Sequence, residues 1–367
     1  MRKIILLTAF IASVACAKAQ YVSLSETEIQ TLRKSIESSD RVGKAFEPYQ
    51  QAAAKALTDQ PAPIETIVSQ GVLAGNPAKT ASLKALQDGN KVYALALNYR
   101  LYKQKSYLQK AVYFLRAWAQ TNKPTGDPIN ETKLEDMITA YDLIRNDVPF
   151  DAKKQIDEWT NSVYQAELHS ASARPGKTTG FNNWNSHRIK IMTLTAFTLN
   201  NADYMQSVYP LLEKQISDDL YTDGSSFDFT ERDALHYHTY TLEPLLRASM
   251  VIYRATGKNY FTYESPRKSS ISKSVDFLVP YVTGAKTHPE FVNSKVNFDK
   301  ARAANNEKGY AAGTLFEPIN GLYTLSLAAY FNVAYLKAIP QNGNSKQQRF
   351  NWQLVLDQVM VPVAGSN

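Results

Sequence analysis

Apolar residues recur every three to four positions along most of the chain, the spacing that places them on one face of a helix. From Tyr107 to Gln120, Leu108, Val112 and Leu115 set the stripe, and Ala111, Phe114 and Trp118 widen it. After Pro128 the pattern returns in Leu134, Met137, Ile138 and Tyr141. Comparable segments cover 91–102, 153–168, 188–199, 204–220, 235–256, 273–281, 320–335 and 350–361. Pro244 falls inside the segment 235–256, where its ring and missing N–H predict a kink or a break. Gly75-Asn76-Pro77, Pro124-Thr125-Gly126, Pro175-Gly176 and Asn342-Gly343-Asn344 punctuate the pattern. No sustained alternation of β-branched residues bounded by tight turns competes with it. The expected fold is all-α, with about ten helices on short connections stacked as antiparallel pairs. Two connections, 170–185 and 286–318, are too long and too polar for simple turns, and are expected to act as lids or groove walls.

The N-terminus carries a different signal. Arg2 and Lys3 precede an apolar run from Ile4 to Val14, and Ala17-Lys18-Ala19 forms a small-residue cleavage site before Gln20. Residues 1–19 are therefore expected to be an export signal and residues 20–367 a single domain, in the periplasm or outside the cell. The apolar run is too short to span a bilayer. Cys16 offers a lipid-anchored alternative, although Ser13 is a poor residue three places before an acylated cysteine. Cys16 is also the only cysteine, so a chain processed after Ala19 has no disulfide, thiolate metal site or cysteine nucleophile. Loss of Arg2, Lys3 and Lys18 lowers the formal charge from +7 to +4. That surplus suits a polyanionic partner but lacks the basic clusters of a nucleic-acid binder. Of the 22 tyrosines, most are expected to fill wet seams between helices, and the remainder to offer faces for sugar stacking.

Two stretches concentrate the chemistry. "GFNNWNSHRIKIM" (residues 180–192) crowds Asn182, Asn183, Trp184, His187 and Arg188 at the start of a helix. Asn183 and His187 lie one helical turn apart, and Asn182 or Asn183 is the expected N-cap. In "FTERDALHYHTYTLEPLL" (residues 229–246), a continuous helix would align Arg232, His236 and Tyr240 in one row, flanked by Tyr237 and His238. Such residues are poor core material because each demands a polar partner when buried. Asn, His, Arg and Tyr, with no metal, no cofactor and no obligatory carboxylate pair, suit removal of a proton α to a carboxylate. In a uronic acid, Asn and Arg can neutralise the carboxylate and stabilise the enolate. A His or Tyr then takes the C5 proton, and a Tyr protonates the leaving O4. Asn130, Glu131 and Lys133, just before a helix, are candidate sugar-binding residues, and Lys286, His288, Lys295 and Arg302 could meet further carboxylates.

These motifs resemble the alginate lyase superfamily of polysaccharide lyases. The resemblance rests on "NNWNSH", "RDALHYHTY", "VYALALNYRLYKQKSYLQKAVYFLRAWA" (92–119) and "PINETKLEDMITAYDLI" (128–144). It extends over most of the chain and lies closer to family 38 than to family 5. It implies an (α/α) toroid, incomplete, with long loops walling a groove, and β-elimination on alginate or glucuronan. By the same resemblance Asn183 neutralises the carboxylate, His187 or Tyr240 is the base, Tyr240 is the acid, and Arg232 assists. The family 5 pattern puts a His directly after the Asn pair, where this chain has Trp184. It also puts its Arg about two helical turns before the Tyr; Arg232 lies eight residues before Tyr240. Two other readings stay open from the residues alone. One is an (α/α)-barrel glycoside hydrolase pairing Glu131 or Asp136 with Asp228 or Glu231. The other is an exported glycan-binding protein without catalysis.

Overall fold

The structure, a computed structural model, describes residues 20–339 and 347–360; the expected export signal with Cys16 and the Asn342-Gly343-Asn344 breaker lie outside the described residues. Among the described residues sixteen α-helices follow one another with no strand, only two isolated bridges. They are α1 (Glu26–Ser38), α2 (Asp40–Ala56), α3 (Pro77–Ala85), α4 (Gln87–Tyr102), α5 (Lys105–Thr121), α6 (Pro128–Glu131), α7 (Glu135–Ile144) and α8 (Phe150–Leu168). The second half holds α9 (Asn183–Leu199), α10 (Ala202–Asp219), α11 (Phe227–Arg232), α12 (Leu235–Thr256), α13 (Ile271–Val282), α14 (Asn297–Ala304), α15 (Leu322–Ala329) and α16 (Gln348–Val359). None is long and apolar enough to cross a membrane.

Packing arranges them as an (α/α) toroid. Contacts run from α2 to α4, α7, α9, α12, α15 and α16, and α16 returns to α2. Around this inner circuit α5 packs on α4, α8 on α5 and α9, α10 on α9, and α13 on α12 and α15. The helix α9 explains the layering: every residue except Trp184 and Leu199 is buried, so it cannot present a solvent face and must lie inside the ring. By contrast α5 buries one stripe, Ala111, Val112, Phe114, Leu115 and Trp118, and faces water with the rest. Gly126 turns the chain into α6 at φ 75°, where any Cβ would collide with the Ala166 carbonyl.

The segment 20–25 is fastened to one end of the ring by buried groups. Arg254, fully buried, donates to the carbonyls of Tyr21 and Ser23 at 2.6 Å each and pairs with Glu28 at 2.5 Å. Asp142 accepts from both the amide (2.9 Å) and the hydroxyl (2.5 Å) of Ser23. These bonds satisfy charges that would otherwise be costly in the core.

Pro244 neither breaks nor ends α12, which runs on to Thr256. The break falls earlier. Helix α11 ends at Arg232, Asp233 takes a left-handed conformation (φ 49°), and α12 starts afresh at Leu235. The expected single row of Arg232, His236 and Tyr240 is therefore corrected: Arg232 stands on a different helix. The new N-terminus is capped from afar, because Glu290 accepts from the amides of Leu235 (2.7 Å) and His236 (3.0 Å).

Candidate active site

His187 of α9 and Tyr240 of α12 meet on the inner ring, with ring centroids 4.2 Å apart and planes tilted by 46°. Asn182 caps α9 by accepting from the Trp184 amide at 3.0 Å, which sets where the helix begins and hence which way His187 points. The imidazole Nδ1 pairs with the Thr132 hydroxyl at 2.9 Å, in the 3₁₀ turn Thr132–Leu134. Its Nε2 is sealed from solvent and makes no hydrogen bond of normal geometry. Pro244 offers no N–H to the Tyr240 carbonyl, and the Tyr240 backbone weighs slightly toward a protonated imidazole. Burial outweighs this, joined by the charges of Lys190 and Lys133, and holds His187 well below its ordinary range and neutral. Among the described residues the Tyr240 phenol has no hydrogen-bond partner. Burial first, then the charge of Glu243, pushes its pKa up, so it stays protonated.

The pair sits at a cavity of about 410 Å³ lined also by Lys133, Glu135, Lys190, Glu243 and Arg247. A second cavity, about 740 Å³, shares Tyr240, Glu243, Tyr323 and Arg349 and adds His236, Tyr310 and Lys308. Glu135 is claimed by Lys190 at 2.5 Å and Arg247 at 3.0 Å. Burial alone would raise its pKa, but those two cations hold the carboxyl below its ordinary range. Lys133 is different: it stands in the cavity with no ion pair. Enclosure there, then repulsion from Lys190 and Arg349, pulls its ammonium down to about 8. Glu243, bonded only by the Thr324 hydroxyl at 3.2 Å, is raised to about 7 by burial.

The other sequence-derived candidates occupy several places. Asn183 gives its carboxamide to Asp228, which also takes the Asn183 amide (2.6 Å) and the Thr241 hydroxyl (2.9 Å). Arg232 pairs with Asp299 at 2.5 Å and stacks over Tyr237 at 3.8 Å. Neither lines the two cavities around Tyr240: Asn183 lies one turn before His187 on α9 with its carboxamide taken by Asp228, and Arg232 stands on α11 paired with Asp299. His238 is a core residue, held at 2.9 Å by both the Ser226 hydroxyl and the Ser274 carbonyl, and burial lowers it to about 4. Burial and the charges of Arg302 and Arg232 also lower His236 to about 4, but it faces the second cavity. Tyr237 lines neither cavity, and its hydroxyl accepts from Arg302 at 2.6 Å. Asn130 holds Ser69, with both bonds at 2.8 Å, and Arg188 donates to the Glu167 carbonyl at 2.6 Å. Trp184 is half-buried at the mouth of α9 and lines neither cavity. Lys286 is exposed, while His288 ties its loop to Asp233 at 3.2 Å.

The loop 286–318 does wall the second cavity, through Lys308, Gly309, Tyr310 and Thr314–Glu317. It contains α14, and its tip reaches the loop before α3: Glu307 accepts from the Ala74 amide at 2.7 Å, and Asn305 donates to the Ala74 carbonyl at 3.1 Å. The carboxylates named for a hydrolase do not face each other across a cavity. Glu131 is buried on the Thr125 amide at 2.7 Å, and Asp228 is consumed by Asn183 and Thr241. Glu135, Lys190, Glu243, Arg247, Tyr323 and Arg349 escaped the sequence reading. A trace of them was present, since Tyr240, Glu243 and Arg247 are polar at helical spacing on an otherwise apolar helix.

The site is thus a His–Tyr pair beside a cation-lined cavity in an all-α toroid. The family model described as alginate lyase matches residues 31–288. The chain belongs to that family and is a polysaccharide lyase. It is similar in fold to an alginate lyase from Bacteroides ovatus, at 17% identity and a TM-score of 0.69, covering 92% of this chain and 99% of that one. It is also similar to alginate lyase A1-III from Sphingomonas species A1, at 16% identity and a TM-score of 0.60, covering 95% and 98%. A tyrosine-to-phenylalanine variant of alginate lyase A1-III, complexed with tetrasaccharide, matches at 17% identity and a TM-score of 0.56, covering 76% and 81%. No curated protein matches the chain in sequence.

Proposed function

We propose that this protein cleaves a 1,4-linked polyuronate, alginate first and glucuronan second, by β-elimination in the cavity beneath Tyr240. The observation that carries the reading is the grouping of Tyr240, neutral His187 and unpaired Lys133 at one cavity. A cation-rich cavity suits a uronate carboxylate, and the tetrasaccharide held by a related lyase shows the size of ligand such a groove accepts in that protein. Trp184 after the Asn pair supports the family 38 branch over family 5. The N-terminal sequence supports export.

The roles follow from protonation and access. The C5 proton needs an acceptor that is both unprotonated and reachable. His187 is unprotonated and lines the same cavity, but its Nε2 is excluded from solvent beside the Tyr240 backbone, so it positions the Tyr240 ring while Lys133 meets the sugar. Lys133 is reachable, and with a pKa of about 8 it supplies free amine near neutral pH. Lys133 takes the proton from C5, and the resulting ammonium stays beside the enolate it has created. The C–H electrons form the C4=C5 double bond, the C4–O4 bond breaks, and the Tyr240 phenol gives its proton to O4. The products are a 4,5-unsaturated uronate and a new reducing end, with no water consumed. Asn183 and Arg232 support the site indirectly, by fixing α9 to Asp228 and the 286–318 loop to α11.

Purified protein is incubated with alginate and with glucuronan, and ultraviolet absorbance of the conjugated ene-carboxylate is followed. Absorbance rising with new reducing ends is the expected outcome. Reducing ends without absorbance would mean hydrolysis, and binding without either would mean a capture protein.

A further inference from the structure

Arg349, on the C-terminal helix α16, has a guanidinium with unused bonding capacity at the meeting point of three cavities. It lines the two cavities around Tyr240, and a third of about 260 Å³ whose walls include Asp136, Tyr93 and Trp352. Tyr240 lines only the first two, so Arg349 reaches from the reacting cavity into a neighbouring space that Tyr240 does not touch. Its nearest acids are Asp136 at 3.9 Å and Glu135 at 4.0 Å, both at the outer limit of an ion pair. Glu135 is already satisfied by Lys190 and Arg247 at much shorter range. A guanidinium carries five N–H donors, and the side chain is 61% exposed with no hydrogen bond to the described residues. It is nonetheless held in place, lying over the Tyr323 ring at 5.4 Å. A planar fork of free donors, fixed in orientation and open to a cavity, matches a carboxylate in two-point contact.

We propose that Arg349 binds the carboxylate of the uronate unit adjacent to the one that loses its C5 proton, and so makes the groove selective for consecutive acidic sugars. The inference rests on the lyase reading above. It is independent of the family motifs, since α16 lies beyond the stretch 31–288 that the family model matches. A contact to the neighbouring unit is made equally in ground and transition states, so its loss raises KM rather than lowering kcat.

The test compares wild type, Arg349→Gln and Arg349→Lys on alginate by ene-carboxylate absorbance, with melting temperatures measured in parallel. Assayed above pH 9, where Lys133 is free amine in both proteins, Arg349→Gln is expected to raise KM roughly tenfold to a hundredfold, with kcat within about threefold of wild type. Arg349→Lys should recover part of that loss, because charge returns without the planar fork. An unchanged KM would overturn the inference, and so would a fall in kcat as large as the rise in KM, which would put Arg349 on the reacting unit. If wild type produces no absorbance, the lyase reading fails separately. Titration with an oligouronate and with a neutral oligosaccharide of equal length then decides the inference: weaker binding of the acidic ligand alone in Arg349→Gln supports it, and equal binding overturns it.

Discussion

Glu167 offers a stability test whose size can be worked from the structure. Its side chain is fully buried, and neither carboxyl oxygen has a donor of normal geometry. The group it faces is Glu131, itself buried, with one oxygen on Thr125 and the other unpartnered. Burial first, then the charge of Glu131, pushes Glu167 up to about 9, and burial pushes Glu131 up to about 7. Because the folded protein holds this proton more tightly than the unfolded chain, the stability it contributes is complete below pH 4.5 and drains as pH climbs to about 9. A proton lost in that interval costs on the order of 1 kcal/mol per pH unit, so moving from pH 6 to pH 8 removes roughly 2–3 kcal/mol. That is a large share of the roughly 5–15 kcal/mol that holds a domain folded. Glu167→Gln keeps the shape, removes the titration and supplies an amide donor to Glu131. Its melting temperature should exceed that of wild type by several degrees at pH 8, with the gap narrowing steadily toward pH 5. Parallel melting curves for the two proteins across that range would refute the buried-pair argument. The pair matters for function because Glu131 precedes Thr132, which holds His187.

Four further outcomes are expected. Lys133→Met should lower kcat by about two to four orders of magnitude, the range for losing a general base. In wild type kcat/KM should rise with pH and level off above about 8, because the free amine is the active form; a profile flat from pH 6 to 9 would take the base role away from Lys133. Thr132→Val removes the Nδ1 partner of His187 and should destabilise the protein by about 1–3 kcal/mol, read by chemical denaturation, with a smaller loss of rate than Tyr240→Phe. Glu290→Ala strips the cap from α12 and should cost about 1 kcal/mol while loosening the 286–318 loop, seen as faster amide exchange at Leu235 and His236.

Much of the fold was legible because its helices carry their own periodicity. The segment 235–256 coincides with α12, and Asn182 is the cap expected near the start of α9. Helices α1 and α2 were missed for a physical reason. The buried stripe of α2 is Val42, Phe46, Tyr49, Ala53 and Ala56, weakened by alanines and interrupted by Pro48, which reads as a breaker when its neighbours in space are unknown. The broken row of Arg232 and Tyr240 is likewise a tertiary effect, since the left-handed turn at Asp233 is stabilised by Glu290 and His288 from a loop more than fifty positions away. His187 and Tyr240 could be named from sequence because they stand in compact motifs. The cations around them could not, because Lys190, Arg247 and Arg349 converge on Glu135 only once the ring brings α7, α9, α12 and α16 together.

The central claim is elimination with Tyr240 as the proton donor. It is tested most directly by the mass spectrum of the oligosaccharides released from alginate by wild type and by Tyr240→Phe. Wild type should release products lighter by one water than hydrolysis would give and absorbing in the ultraviolet, and Tyr240→Phe almost none although it still binds the polymer. Products of full hydrolytic mass, or undiminished release by Tyr240→Phe, would contradict that claim.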